Sequence, residues 1–318
     1  MIPHIPFPNV LIGHASYPDG PTGCTVILCP EGAVAGMDVR GSASGTRQTD
    51  SLAALHRVPH IHGILLAGGS SFGLDATGGV LQYLEEKGIG FDVTVTRVPI
   101  VPSAILFDLA FGNPAVRPDK ALGYQACLQA STGPVEEGSV GAGTGATIGK
   151  LFSVLQATKG GLGYASTTLE NGLTVAALVV VNAFGDVRDR EGNILAGART
   201  GPQDTAFADT WACMKQGIQP KQFVVQNTTL GVILTNARLD KADARKLAQL
   251  GQNALARVIA PVHTLYDGDI VFALSVGPVE AGLMQVGILA QEMLQEAIIR
   301  AVKAADGLGR LPAWRDFQ

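Results

Sequence analysis

Charge is scarce in this chain. Only 16% of its 318 residues are Asp, Glu, Lys or Arg, and the net charge is −4. The basic residues are scattered rather than clustered, which argues against nucleic acid or an anionic membrane surface as a partner. A small neutral or mixed-charge ligand is expected instead. Aromatics make up 6%, and the four cysteines, Cys24, Cys29, Cys127 and Cys213, include no CxxC pair. That usage predicts buried thiols in a reducing compartment rather than disulfides or metal ligands, so neither a metal nor a cofactor is expected. No uncharged apolar run approaches the roughly 18 residues of a membrane span; the run from Leu173 to Phe184 is short and contains Asn182. The start, Met1-Ile-Pro-His-Ile-Pro-Phe-Pro, lacks the basic-then-apolar order of a secretory signal. A cytoplasmic protein is the expectation.

What the chain has in quantity is apolar residues, 47%, and glycine, forty in all. The first provides for one large core or two smaller ones. The second implies many turns and close backbone approaches, some of them to a ligand.

Periodicity and turn residues divide the chain into alternating strands and helices. Two strands joined by a turn-rich connection are expected between Val10 and Pro30, a short strand at Met37–Gly41, a short helix from Asp50 to His56, and a buried strand at His62–Ala67. A Gly-rich turn then leads into a helix through Glu86. Strands are expected at Val93–Val101 and Ala104–Leu109, then a helix from Lys120 to Ala130. Glu170-Asn171-Gly172 is a hairpin turn signal between strands Gly163–Leu169 and Leu173–Asn182. Helical pieces are expected at Asp204–Lys215, Lys241–Ile259 and Val279–Ala305, and strands at Leu230–Thr235 and Ile270–Val276.

Two Gly-rich stretches invite a phosphate reading. Gly138 to Lys150 fails as a P-loop, since Thr144 stands where a Gly is needed and Leu151 follows the Lys. Gly141-x-Gly143-x-x-Ala146 matches the looser dinucleotide fingerprint but follows no clear strand. Gly68-Gly-Ser-Ser-Phe-Gly73 follows a strand and opens a helix, but is not a convincing match to the fuller dinucleotide pattern with its acidic residue about 20 positions on.

The most unusual stretch is Phe223-Val-Val-Gln-Asn227-Thr228-Thr229-Leu-Gly-Val-Ile-Leu-Thr-Asn-Ala237, a polar knot between two β-prone apolar runs. Asn227-Thr228 can be read as a peptide bond that cuts itself. The Thr228 hydroxyl attacks the Asn227 carbonyl, the acyl group moves from nitrogen to oxygen, and water releases it. The new terminus then carries nucleophile and base on one residue, because an α-amino group has a pKa of about 7.7–8.0. Two other readings stand beside it: an Asn-Thr-Thr glycosylation acceptor, disfavoured by the absent signal, and an ordinary strand start.

Several segments together resemble the family of the L-aminopeptidase D-Ala-esterase/amidase and the nylon-oligomer (6-aminohexanoate oligomer) hydrolase, which are self-processing N-terminal-nucleophile-like hydrolases. The segments are Asp38-Val39-Arg40-Gly41 with Gly45-Thr46-Arg47, Leu66 to Asp75, Val140 to Lys150, Val181-Asn182 and Asn227-Thr228. The resemblance covers nearly the whole chain. It implies an α/β fold, a four-layer αββα sandwich, in one hydrolase domain, 1–318, cleaved into an α chain, 1–227, and a β chain, 228–318. It also implies a homotetramer or larger ring acting on short peptides or ω-amino-acid oligomers. Thr228 is then the nucleophile, Asn182 an oxyanion donor and Lys150 a hydrogen-bond donor near the nucleophile.

Asp267 and Asp269 match the Asp-x-Asp pair of the nylon-oligomer branch and would orient the Thr228 hydroxyl and ammonium. Without the resemblance, Asp267-Gly268-Asp269 reads as a solvated turn, Lys150 as a solvent-facing lysine and Asn182 as a strand-end residue. One departure stands out: near Ala104–Asp108, where the family places a Tyr hydroxyl, this chain has Phe107. That departure leaves open a non-catalytic ring-forming scaffold of the same fold, and the Gly141 loop leaves open a dinucleotide enzyme.

Overall fold

Strand formation in the first half of the chain follows its β-branched and aliphatic runs. β1 (Leu11–Tyr17) pairs antiparallel with β2 (Thr22–Val39), from Leu11 opposite Leu28 to Tyr17 opposite Thr22. β2 is one strand of 18 residues where the sequence suggests two separated pieces. Pro30 and Gly32, at φ 90, are absorbed as an irregularity between Leu28 and Ala33 instead of ending the strand. β3 (Gly45–Arg47), β4 (Ile61–Ala67), α1 (Thr77–Glu86), β5 (Ser103–Ile105) and α2 (Lys120–Leu128) follow. The computed structural model describes residues 4–220 and 227–318.

In the second half, β6 (Gly161–Thr168) and β7 (Thr174–Asn182) form the expected hairpin, with Gly172 at φ 81 in the turn. β8 (Thr228–Ala237), α3 (Lys241–Val258), β9 (Ile270–Val279) and α4 (Leu283–Ala304) complete the chain. The apolar run Phe223–Val225, expected as a strand before the polar knot, lies with Gln226 outside the described residues. The strands are hydrogen-bonded in the order β6-β7-β8-β9-β2-β4-β5-β3, with β1 on the free side of β2. Because β2 pairs with β1 and β4 through its first residues and with β9 through Val34–Val39, it joins two sheets.

Three apolar layers result. Leu178, Val180, Leu230, Val232 and Phe272 of one sheet face Ile27, Ile64 and Leu66 of the other. The opposite faces of the first sheet, with Val179, Val181, Ile233 and Val271, pack on Leu247 and Leu255 of α3 and Leu294 and Ile298 of α4. Val26, Leu28 and Leu65 pack on Val80 and Leu84 of α1 and Leu122 of α2. This is the four-layer helix-sheet-sheet-helix arrangement expected. Each fully buried Leu, Ile or Val contributes about 1.5–3 kcal/mol of transfer free energy, which is why alternation along β7, β8 and β9 fixes their register so firmly.

Other local expectations change, among them the helix Asp50–His56, which is a 3-10 turn at Thr49–Leu52. Val93–Val101 forms only the two-residue strands Phe91–Asp92 and Arg97–Val98, because Val93 and Val95 are solvent-exposed on a hairpin tip. Alternation there has no core to face. The Ala104–Leu109 strand shortens to Ser103–Ile105, after which Phe107 and Asp108 turn toward other partners. Asp204–Lys215 narrows to a helix at Thr210–Lys215, started by the Asp209 side chain accepting from Ala212 N. The last helix starts at Leu283 rather than Val279, which is still the end of β9.

Candidate active site

Pairing places the predicted residues at one end of the first sheet. β7 and β8 are antiparallel with Asn182 opposite Thr228, and β8 and β9 are parallel with Leu230 opposite Ile270. The same parallel register carries a bridge back to Asn227 and Asp267. Directly opposed residues of an antiparallel pair share a face, with Cβ atoms about 4.5–5.5 Å apart. By the period of two, that face is the one carrying Leu178, Val180, Leu230 and Val232, so Asn182 and Thr228 look into the space between the sheets.

The Asn227-Thr228 peptide is held on both sides. Asn227 N donates to Tyr266 O at 2.8 Å, and Gly268 N donates to Asn227 O at 2.7 Å. The Thr228 hydroxyl donates to the same carbonyl oxygen at 2.5 Å. A backbone donor at that distance lies in the range of about 2.7–3.1 Å typical of oxyanion donors. The chain therefore has a hydroxyl beside a peptide carbonyl that is already polarised by an N–H. Asn227, Thr228 and Thr229 are all buried, none more than 1% exposed, so this peptide is screened from bulk water.

Lys150 and Asn182 form one network. Gly149 N and Lys150 N donate to Ala183 O and Phe184 O, so the end of the Gly-rich loop lies along the chain leaving β7. Gly149 is at φ 76, and a Cβ there would lie 1.9 Å from Ala198 N; only glycine fits. Lys150 Nζ donates to Thr147 O at 2.5 Å, Asn182 Oδ1 at 2.9 Å, Thr147 Oγ1 at 3.1 Å and Asn182 O at 3.2 Å. Burial pushes its ammonium down to about 7, with the nearby Asp267 acting the other way. Asn182 Oδ1 also accepts from Thr147 N at 3.0 Å, while its Nδ2 donates to Phe107 O at 3.1 Å. Two donors on one side and an acceptor on the other fix the carboxamide orientation. One N–H of Nδ2 is committed to Phe107, and a carboxamide has a second.

Asp267 and Asp269 are buried, which removes the solvated-turn reading. They do not hydrogen-bond the Thr228 hydroxyl, which is engaged by Asn227 O. Asp269 Oδ1 accepts from Thr229 N at 2.8 Å, and its Oδ2 accepts from His263 N at 3.1 Å and meets His263 Nδ1 at 2.9 Å. Asp267 Oδ1 accepts from Phe184 N at 3.0 Å and its Oδ2 from the Thr264 hydroxyl at 2.5 Å. In the uncleaved chain, in place of the expected contact to the hydroxyl, Asp269 holds the backbone beside Thr228, and Asp267 holds the chain leaving β7 and the Thr264 side chain. Burial, and secondarily the charge of Asp269, holds the Asp267 carboxyl well above the usual carboxylate range. The loop after β2 closes this end of the site: Arg40 N donates to Asp269 O and Ala43 N to Asp267 O. A Cβ on Gly41 would stand 2.1 Å from Asp267 O, which accounts for that glycine.

Several contributors escaped sequence reading: the Gly268 N–H, the carbonyls of Tyr266 and Phe107, and the side chains of Thr147, His263 and Thr264. Only Thr264 left a local signal, a Thr three residues before Asp267 in a turn where Asp267 N donates to Thr264 O. The stretch Gly141–Gly143 forms a single 3-10 turn leading to the two-residue strand Thr147–Ile148. It opens no helix, so the helix N-terminus of a dinucleotide loop is missing. Among the described residues, no group of three or more His, Cys, Asp or Glu could hold a metal ion, and no helix is long and apolar enough to cross a membrane.

Comparison with known proteins places the chain in one family. An uncharacterized aminopeptidase of Mycobacterium leprae (strain TN) is 40% identical over 92% of this chain and 85% of its own length. A 6-aminohexanoate-oligomer endohydrolase of Kocuria sp. (strain KY2) is 33% identical over 93% of this chain and 85% of its own length. The fold matches the L-aminopeptidase D-Ala-esterase/amidase of Ochrobactrum anthropi, a variant of the Ntn hydrolase fold, with a TM-score of 0.70 at 19% identity over 94% of this chain and 85% of that one. The model of peptidase family S58 matches residues 7–310. The chain belongs to peptidase family S58, and the reaction its residues have to account for is hydrolysis of an amide bond.

Proposed function

We propose that this protein is a self-processing amidohydrolase whose nucleophile is Thr228, freed by cleavage of the Asn227-Thr228 bond. The observation that carries the reading is the carbonyl of Asn227, which receives the Gly268 N–H at 2.7 Å and the Thr228 hydroxyl at 2.5 Å. Attack by Thr228 Oγ1 on the Asn227 carbonyl carbon places negative charge on the oxygen that Gly268 already contacts. Collapse breaks the C–N bond, and the nitrogen takes up the proton that the hydroxyl released. Water then hydrolyses the ester, leaving a carboxylate on Asn227 and an amine on Thr228. In each later cycle that amine takes the hydroxyl proton and returns it to the leaving amine of the substrate.

Other residues have catalytic or positioning roles in this reading. Asn182 offers its second Nδ2 hydrogen to the oxyanion, Lys150 fixes the Asn182 carboxamide, and Asp269 holds the Thr229 N–H next to the new terminus. Asp267 anchors the backbone of Phe184. Short peptides or ω-amino-acid oligomers are the proposed substrates, supported by relatives named as an aminopeptidase and a 6-aminohexanoate-oligomer endohydrolase. The same reading carries a cytoplasmic homo-oligomer, tetramer or larger.

A second reading, a scaffold without activity, draws on Phe107, whose carbonyl is used and which has no hydroxyl to offer. A denaturing gel separates the two: two bands for the processed enzyme, one band at 32.9 kDa for the scaffold. A panel of aminoacyl-p-nitroanilides, D-Ala amide, β-peptides and 6-aminohexanoate oligomers then identifies the substrate.

A further inference from the structure

We propose that His263 is a positioning residue for the reaction, acting through Asp269 on the backbone that carries the nucleophile. The proposal rests on Thr228 being that nucleophile. His263 directs two donors at one oxygen, its backbone N at 3.1 Å and its ring Nδ1 at 2.9 Å from Asp269 Oδ2. The other oxygen of Asp269 accepts from Thr229 N at 2.8 Å, one residue beyond Thr228. A continuous path of hydrogen bonds thus runs from the imidazole to the strand start.

The backbone of His263 is at φ 55, in the left-handed region that residues with a Cβ adopt infrequently. Such a conformation persists where its surroundings impose it, and here it brings the N–H and the ring onto the same carboxylate oxygen. The His263 side chain is 22% exposed while that of Asp269 is 1% exposed. The imidazole therefore stands between water and a carboxylate that is otherwise enclosed. Facing a carboxylate oxygen that already accepts from the His263 backbone N–H, Nδ1 is assigned as the ring donor, leaving Nε2 as the second ring nitrogen.

This device matters most after cleavage. Once Thr228 is a chain end it loses the covalent restraint of Asn227, and its ammonium is free to swing about the bonds before Thr229. Asp269, pinned through Oδ2 by His263, keeps Thr229 N in place and so limits that movement. Loss of the ring leaves Asp269 with the backbone donors alone and lets the carboxylate rotate away from Thr229.

The test uses the full-length chain and three variants. His263→Gly deletes the imidazole while keeping the backbone N–H and a residue at ease in the left-handed region. His263→Asn keeps a side-chain donor and also tolerates that region. Thr228→Ala serves as the reference. The rate of self-cleavage, which needs no substrate, is followed by intact mass, and turnover is followed on aminoacyl-p-nitroanilides, alongside melting temperature.

Expected is a fall of about 10-fold or more in both rates for His263→Gly, the size of one charge-assisted hydrogen bond. KM should be little changed and melting nearly that of the wild type, and His263→Asn should recover most of the lost rate. Wild-type rates in His263→Gly overturn the proposal, as does a His263→Asn variant that folds and is no faster than His263→Gly. A Thr228→Ala chain that still cleaves overturns the nucleophile assignment itself. An uncut Thr228→Ala chain together with an unimpaired His263→Gly variant overturns only the role of His263.

Discussion

Asn182 stands directly opposite Thr228 in the antiparallel pair of β7 and β8, with its carboxamide oxygen fixed by Lys150 Nζ at 2.9 Å and Thr147 N at 3.0 Å. The register brings a strand-end carboxamide to the face of a strand-start hydroxyl, and the buried ammonium settles which end of the carboxamide faces away. Asn182→Ala removes both the proposed donor to the oxyanion and the acceptor for Lys150. Turnover is expected to fall by about 10²–10³, the usual cost of deleting one oxyanion donor, with a smaller effect on KM. Steady-state kinetics on the processed variant check it; unchanged turnover would remove Asn182 from the chemistry.

Thr228→Ala is expected to block both maturation and hydrolysis, because in the proposed reaction one hydroxyl serves both. Thr228→Ser and Thr228→Cys keep a nucleophile at the same position and should still process. Intact-mass measurement decides the matter: a Thr228→Ala chain split between Asn227 and Thr228 would end the proposal.

Asp267→Asn and Asp269→Asn are expected to lower turnover by about 10²-fold, the scale of a misplaced catalytic group. Both residues are buried and accept backbone hydrogen bonds, so stability should fall as well, by about 1–3 kcal/mol for each donor left unmatched. Denaturant melts and turnover measured on the same preparations test this. Variants with wild-type stability and wild-type turnover would show that neither carboxylate matters to the fold or to the site.

Lys159 provides a pH signature independent of catalysis. Its Nζ is buried and donates to Gly143 O at 2.9 Å and Gly160 O at 2.6 Å, and burial pushes its pKa down to about 7, with Asp108 opposing. A depressed lysine means that the unfolded chain binds more protons than the folded one between about pH 7 and about pH 10.4, so stability rises with pH across that window. Lys150 acts in the same direction. Cys29 and Cys127, pushed up to about 12 by burial, act against it at higher pH. That opposition begins at the unfolded thiol pKa of about 8.5. From about pH 7 to about pH 8.5, the wild-type melting temperature should therefore climb, and that of Lys159→Met should climb less. Parallel curves for the two proteins would count against a depressed pKa at Lys159.

Much of this protein was present in the order of its residues. The Asn-Gly turn gave the β6–β7 hairpin, the run after Thr229 gave β8, and the stripe from Lys241 gave α3 to within one residue of its end. Local chemistry also marked Asn227-Thr228 as the peptide now proposed to cut itself, and the resemblance named Lys150, Asn182, Asp267 and Asp269. These features depend on neighbours a few positions apart, which a sequence states directly. Val93–Val101 misled for the same reason, since its alternation is local whereas the presence of a core for it to face is not.

Tertiary structure decided what those residues touch. The parallel pairing that sets Asn227 beside Asp267 put the Gly268 N–H on the Asn227 carbonyl and turned Asp269 toward the Thr229 backbone instead of the Thr228 hydroxyl. It also brought His263, unremarkable in the sequence, onto a buried carboxylate. Register between strands separated by a helix is fixed by matching buried faces and not by any local pattern. Burial, likewise, is a property of the packed layers: it lowers Lys150 toward neutrality and raises Asp267. Residue identities therefore set which reactions were possible, and packing set which atoms are close enough, and dry enough, to carry them out.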